Sequence, residues 1–105
     1  MKTVYLAGKI TGEADYKEKF GKAEKHLKNL GGYAVLNPAI LPPEGFGYDS
    51  YIRISEAMLK ECQAACFIKG WADSAGARGE LRLAKSMGKE ILYFDGERVT
   101  QGTGD

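Results

Sequence analysis

The sequence predicts one α/β domain, a Rossmann-like or flavodoxin-like three-layer sandwich built on a parallel sheet of four to five strands. Three observations lead there. The chain has 105 residues, 44% hydrophobic and 28% charged, which suits a single core and leaves no compositional case for disorder. Four short apolar runs are bounded by turn residues, and three segments of helical period lie between them. Strands that alternate with helices run parallel, because each crossover returns the chain to the same end of the sheet.

Thr3 to Ala7 (TVYLA) is the first strand, opening at Gly8 into the loop GKITGEA. From Asp15 onward Tyr16, Phe20, Ala23, Leu27 and Leu30 recur at helical spacing, with lysines and glutamates between them. Asp15 and Glu18 resemble a capping box, and Gly31-Gly32 supplies the stop. Tyr33 to Leu36 is the second strand. Residues 37 to 48 (NPAILPPEGFGY) hold all three prolines and two glycines, so no regular element is expected there. A loop this long in a small domain usually carries function. Asp49 or Ser50 would cap a second helix through about Cys62, with Ile54, Met58 and Leu59 among its apolar positions. Ala65 to Ile68 is the third strand, a helix spans Ala75 to Met87 and stops at Gly88, and Ile91 to Phe94 is the fourth strand. The domain is therefore assigned to residues 1–95, with a polar tail at 96–105 expected to be mobile.

Fifteen Lys plus Arg against fourteen Asp plus Glu leave a net charge of +1, which removes the bulk electrostatic case for a nucleic-acid polymer or an anionic membrane as partner. A local phosphate site stays open. No apolar run approaches the roughly 18 residues of a bilayer span, and the N-terminus lacks a signal-peptide pattern, so a cytoplasmic location is expected. Cys62, Cys66 and His26 cannot assemble a zinc quartet or a disulfide scaffold, so no metal is expected and the thiols read as free and buried.

In such folds ligands bind at the carboxyl ends of the strands. Those ends carry GKITG (with Gly8, Lys9, Ile10 and Gly12), NPAILPP (beginning at Asn37) and GWADSAG. GKITG is neither a Walker loop nor GxGxxG; its glycines allow close approach of a ligand, or merely a tight turn. The richest segment is Gly70 to Glu80, GWADSAGARGE. Ser74 reads as an N-cap, and the small residues after it leave backbone N–H groups open to an anion. On the helix surface Glu80 is surrounded by Gly76, Ala77 and Ala84, which leaves room above the carboxylate. The positive end of the helix favours the ionised form, as a nucleophile needs. Alternatives stay open from spacing alone. Glu80 reads more ordinarily as a solvated residue beside Arg78 and Arg82, and Tyr5 as core rather than as a hydroxyl aimed at the carboxylate. Trp71 either stacks on a base or fills the core edge, and Asp73 either donates a proton or caps. The lysine-rich first helix reads as a solvated face, its charges alternating with acids.

With these residues in view, the chain resembles the nucleoside 2-deoxyribosyltransferase superfamily, in particular its small phage and bacterial members of DUF4406 type. The resemblance covers about residues 2 to 94 and rests on VYLAGKITG, NPA, YIRISEAMLKEC, and GWADSAGARGE with LAKSMGKEILYF behind it. It implies that Glu80 attacks the anomeric carbon of a deoxyribose and that Tyr5 orients it. Asp73 becomes the candidate acid. Gly8, Lys9, Ile10, Gly12, Asn37, Trp71, Ser74 and Gly76 become the candidate substrate-binding set. The spacing of Ser74, Gly76 and Glu80 is similar to that of deoxynucleoside 5′-monophosphate N-glycosidases, where the serine holds the phosphate, and this favours a nucleotide. The family commonly carries an acid just before the third strand, where this chain has Gln63, and glutamine cannot donate a proton as an acid. The resemblance further implies no cofactor, a small-molecule nucleoside or nucleotide as partner, and a homodimer or higher homo-oligomer. Two functional classes follow. One is an enzyme that cleaves an N-glycosidic bond by hydrolysis or base transfer; the other, motivated by Gln63, is a nucleotide-binding module with little or no chemistry.

Overall fold

The apolar runs pair into one sheet. In the computed structural model, which describes residues 1–102, the parallel strands are β1 (Lys2–Ala7), β2 (Tyr33–Leu36), β3 (Ala64–Ile68) and β4 (Glu90–Phe94). A fifth strand, β5 (Val99–Gln101), is antiparallel to β4. The order is β2-β1-β3-β4-β5, a flavodoxin-like arrangement whose switch point lies between β1 and β3. The helices are α1 (Tyr16–Leu30), α2 (Tyr48–Lys60) and α3 (Ala75–Ser86). None of them, among the described residues, is long and apolar enough to cross a membrane.

Alternation along the strands distributes side chains to two cores. Val4 and Leu6 pack with Phe20, Ala23 and Leu27 of α1, whereas Tyr5 and Ala7 turn the other way toward Leu59 of α2 and Ala84 of α3. β3 is buried at all five positions, as a central parallel strand with helices on both faces requires. Phe20, Leu27, Leu59 and Phe67 are at most 1% exposed, each contributing about 1.5–3 kcal/mol through burial. Cys62 and Cys66 are free and buried. Burial pushes the Cys66 thiol up to about 12, so it stays protonated and unreactive at neutral pH.

Several local expectations are corrected. Asp15 precedes α1 but its side chain makes no cap hydrogen bond; it lies 3.8 Å from Lys19 instead. The proline segment is not wholly irregular, since Pro38–Ile40 forms one 3₁₀ turn capped by Asn37, whose Oδ1 accepts from Ala39 N at 2.9 Å. A proline at the first position is tolerated because that N–H needs no partner. α2 starts at Tyr48 behind Gly47, ahead of the expected Asp49 or Ser50, and ends at Lys60; Ile54 is 37% exposed and only Leu59 is fully buried. The polar tail read at 96–105 contains β5. The Asp95 carboxylate accepts from Glu97 N and Arg98 N at 2.8 and 2.7 Å, Gly96 takes φ 102°, and the chain folds back so that Val99 pairs with Phe94. Residues 103–105 of that tail lie outside the described residues.

Candidate active site

Tyr5 sits in the middle of β1, 1% exposed, and its ring is directed to the α2/α3 face. Glu80 lies in the second turn of α3, positioned by the start of that helix. Ser74 caps it as the sequence indicates: its Oγ accepts from Ala77 N at 3.1 Å and its carbonyl from Arg78 N at 2.9 Å. These two elements bring the Tyr5 hydroxyl against Glu80, to whose Oε2 it donates a hydrogen bond.

Glu80 is therefore no solvated partner of neighbouring arginines. The Arg78 guanidinium turns away and donates to the Ala72 carbonyl at 2.6 Å. Burial raises the Glu80 carboxyl from the usual carboxylate range to about 7; the Tyr5 hydrogen bond pulls the other way, and the charge of Glu56 adds to the rise. Burial, and then the charge of Glu80, hold the Tyr5 phenol well above its ordinary value, so it remains a proton donor. A desolvated carboxyl poised near neutrality, oriented by one hydrogen bond and without a paired cation, is equipped to act as a nucleophile or base.

Two adjoining hollows meet at Glu80. One, of about 380 Å³, has Tyr16, Phe46 and Tyr51 among its walls, together with Gly8, Ser74 and Gly76. The other, of about 300 Å³, is lined by Asp49, Ile52, Ser55, Glu56 and Leu83. Among the described residues, neither lining contains Lys, Arg or His. Gly8 owes its identity to packing as much as to ligand approach: a Cβ there would stand 3.1 Å from the Phe20 ring and 3.4 Å from Ile68 Cβ.

The structure brings Tyr5, Gly8, Ile10, Ser74, Gly76 and Glu80 together and leaves the rest of the expected set elsewhere. Asp73 and Lys9 border a different hollow on the α1 face. Trp71 packs on Phe67 and Tyr93, centroids 5.5 and 5.8 Å away, at the core edge. Asn37 is nearly buried and spent on structure, donating to Glu24 at 2.9 Å besides capping its own turn. Gly12 stands in open space at φ 80°. Gln63 lies at the amino end of β3, opposite the end that carries Gly8 and Ser74. It exchanges hydrogen bonds with Thr3 at 2.9 and 3.1 Å, so its identity says nothing about proton supply. The acidic neighbour of Glu80 is Glu56, which the sequence reading missed. The signal available was its place one helical turn after Ile52 and beside Ser55, two residues that line the same hollow.

The fold and this site define a deoxyribosyltransferase-like α/β protein. A solved 2-deoxyribosyltransferase from the psychrotolerant bacterium Bacillus psychrosaccharolyticus superposes with a TM-score of 0.69 at 27% identity, over 93% of this chain and 77% of that one. A 2-desoxiribosyltransferase from Leishmania mexicana gives a TM-score of 0.68 at 23% identity, over 90% of this chain and 64% of that one, a likeness of fold. No curated protein sequence matches the chain. The family model described as a domain of unknown function, DUF4406, matches residues 2–93, and the chain belongs to that family.

Proposed function

We propose that this chain cleaves the N-glycosidic bond of a 2′-deoxynucleoside by covalent attack of Glu80. The observation that carries the reading is the buried Tyr5–Glu80 hydrogen bond, which no cation accompanies among the described residues and which opens onto an aromatic-walled hollow. The 27% identical structure, itself a 2-deoxyribosyltransferase, supports the same class of chemistry. An ionised Glu80 oxygen bonds to C1′ as the C1′–N bond breaks through an oxocarbenium-like transition state that the carboxylate stabilises. The bonding pair leaves with the base, which also takes a proton. Asp73 lies in a different hollow, so that proton comes from solvent. Water then attacks C1′ and frees Glu80, giving hydrolysis; a second base gives transfer. Tyr5 donates to Glu80 and so keeps a share of the carboxyl ionised despite its burial.

A nucleoside is favoured over its 5′-monophosphate. Among the described residues, three carboxylates and no cationic side chain line the two hollows, a field that repels a phosphate dianion. The binding-module alternative rested on Gln63 and loses that support with Gln63 at the far end of the sheet. A single catalytic domain that includes β5, a cytoplasmic location and self-association belong to the same reading.

The test is free-base release, followed by chromatography, from deoxynucleosides and their 5′-monophosphates, each with and without a second base, with Glu80→Ala as the blank. Release that depends on Glu80 and prefers nucleosides is expected. A folded protein that binds deoxynucleosides and releases no base would overturn the enzymatic reading.

A further inference from the structure

On the α1 face, across the β1 loop from Glu80, lies a third hollow of about 490 Å³. Its floor is apolar, formed by Phe20, Ile68 and Phe94, and its rim is charged. The rim charges are not equivalent. Lys19 is committed to Glu13 at 2.5 Å, and the Asp95 carboxylate is occupied by the backbone N–H groups of Glu97 and Arg98. The ammonium groups of Lys22 and Lys69 make no ion pair or hydrogen bond among the described residues, and Lys9 acts on Glu13 only at longer range. With Lys19 and Glu13 paired, three ammonium groups, those of Lys9, Lys22 and Lys69, face two carboxylates, Asp73 and Asp95.

A groove continues from this hollow around the carboxyl ends of β3 and β4 to the α2/α3 face of the sheet, sharing Lys69, Gly70, Phe94 and Asp95 with it. Its wall is made by the rings of Trp71 and Tyr93, 5.8 Å apart and inclined at 36°, both part-exposed. Cations beside a half-covered aromatic surface match a ligand with two parts, one anionic and one flat. We propose that the hollow and its groove bind a nucleoside phosphate, the phosphate among Lys9, Lys22 and Lys69 and the base against Trp71 and Tyr93, outside the cavity that holds Glu80. The two sides of the β1 loop then sort ligands by charge. Carboxylates line the Glu80 side, and a surplus of ammonium groups lines the other. The loop itself is common to both: Lys9 borders the lysine hollow, while Gly8, Ile10 and Thr11 border the Glu80 hollow.

The experiment is calorimetric titration with adenosine 5′-monophosphate, adenosine and inorganic phosphate, on the wild type and on the double variant Lys22→Glu/Lys69→Glu. Both side chains are exposed and away from Glu80, and a melting curve confirms that the variant is folded. Adenosine monophosphate is expected to bind at least about tenfold more tightly than adenosine or phosphate, and the double variant to weaken it by about tenfold or more, since each lost charged contact is worth that much. Added salt weakens it too, and a saturating deoxynucleoside leaves it in place. Equal affinity in the double variant overturns the proposal. So does displacement by the deoxynucleoside, which would put the phosphate in the Glu80 cavity, and so does phosphate alone binding as tightly as the nucleotide, which would remove the base from the site. Base release from deoxynucleosides should be the same in the double variant as in the wild type.

Discussion

Glu90 and Glu80 stand at opposite ends of the sheet, both only partly exposed, in opposite circumstances. Glu90, at the start of β4, is paired with the Lys2 ammonium and accepts from Gln101 Nε2 at 3.0 Å. Beside it, Thr3 and Gln63 tie β1 to β3 with reciprocal hydrogen bonds. Glu80 has one neutral donor, Tyr5, no cation, and a second carboxylate nearby in Glu56. The amino end uses polar side chains to hold strands in register. The carboxyl end holds a carboxyl group in a state that burial disfavours, an arrangement that lowers stability and creates reactivity.

The comparison is broken most directly by removing the carboxylate. Glu80→Gln is expected to lower base release by about a thousandfold or more, as loss of a nucleophile does, while deoxynucleoside binding measured by titration is retained. The same variant should be more stable than the wild type. Glu80 has a folded pKa of about 7 against an ordinary 4.5, so the folded state holds its proton longer and stability falls as pH rises between those values. Glutamine keeps an acceptor for Tyr5 without the charge, so denaturant melts at pH 8 should show a gain of up to about 3 kcal/mol, vanishing toward pH 4.

Tyr5→Phe sharpens the contrast. Its hydrogen bond favours the ionised form of Glu80, so its loss should cost about 10- to 100-fold in rate. It should also move the rising limb of the pH–rate profile upward from about 7. An unshifted limb would show that Tyr5 does not act through Glu80. The smallest effect belongs to the amino end. Gln63→Ala should destabilise by about 1 kcal/mol at most, the worth of exposed hydrogen bonds, and leave the pH–rate profile where it was.

Local pattern made most of the fold legible. Four apolar runs and three helical periods put the parallel strands and all three helices in place, with β2 at Tyr33–Leu36 and the Ser74 cap found to the residue. β5 was missed because its signal is nonlocal: Val99 is a strand residue only by pairing with Phe94, although Asp95-Gly96 after a strand is a hairpin cue. At the site, spacing alone read Tyr5 as core and Glu80 as a solvated helix residue, and it was the family resemblance that paired them. Asp73 and Lys9 border the α1-face hollow, because adjacency in a loop does not say on which side of the sheet a side chain falls, while Trp71 shares the face of Glu80 but is taken up by Phe67 and Tyr93. Gln63 and Glu56 show the same limit between elements. Their distances from Glu80 are set by how α2 and β3 pack, which no single segment encodes.

The most direct test of Glu80 as nucleophile is peptide mass spectrometry after acid quench of the protein during turnover of a deoxynucleoside. The account expects one deoxyribosyl group on the peptide that contains Glu80, and none on the Glu80→Gln variant. A deoxyribosyl group on any other residue, or on the Glu80→Gln variant, would contradict it.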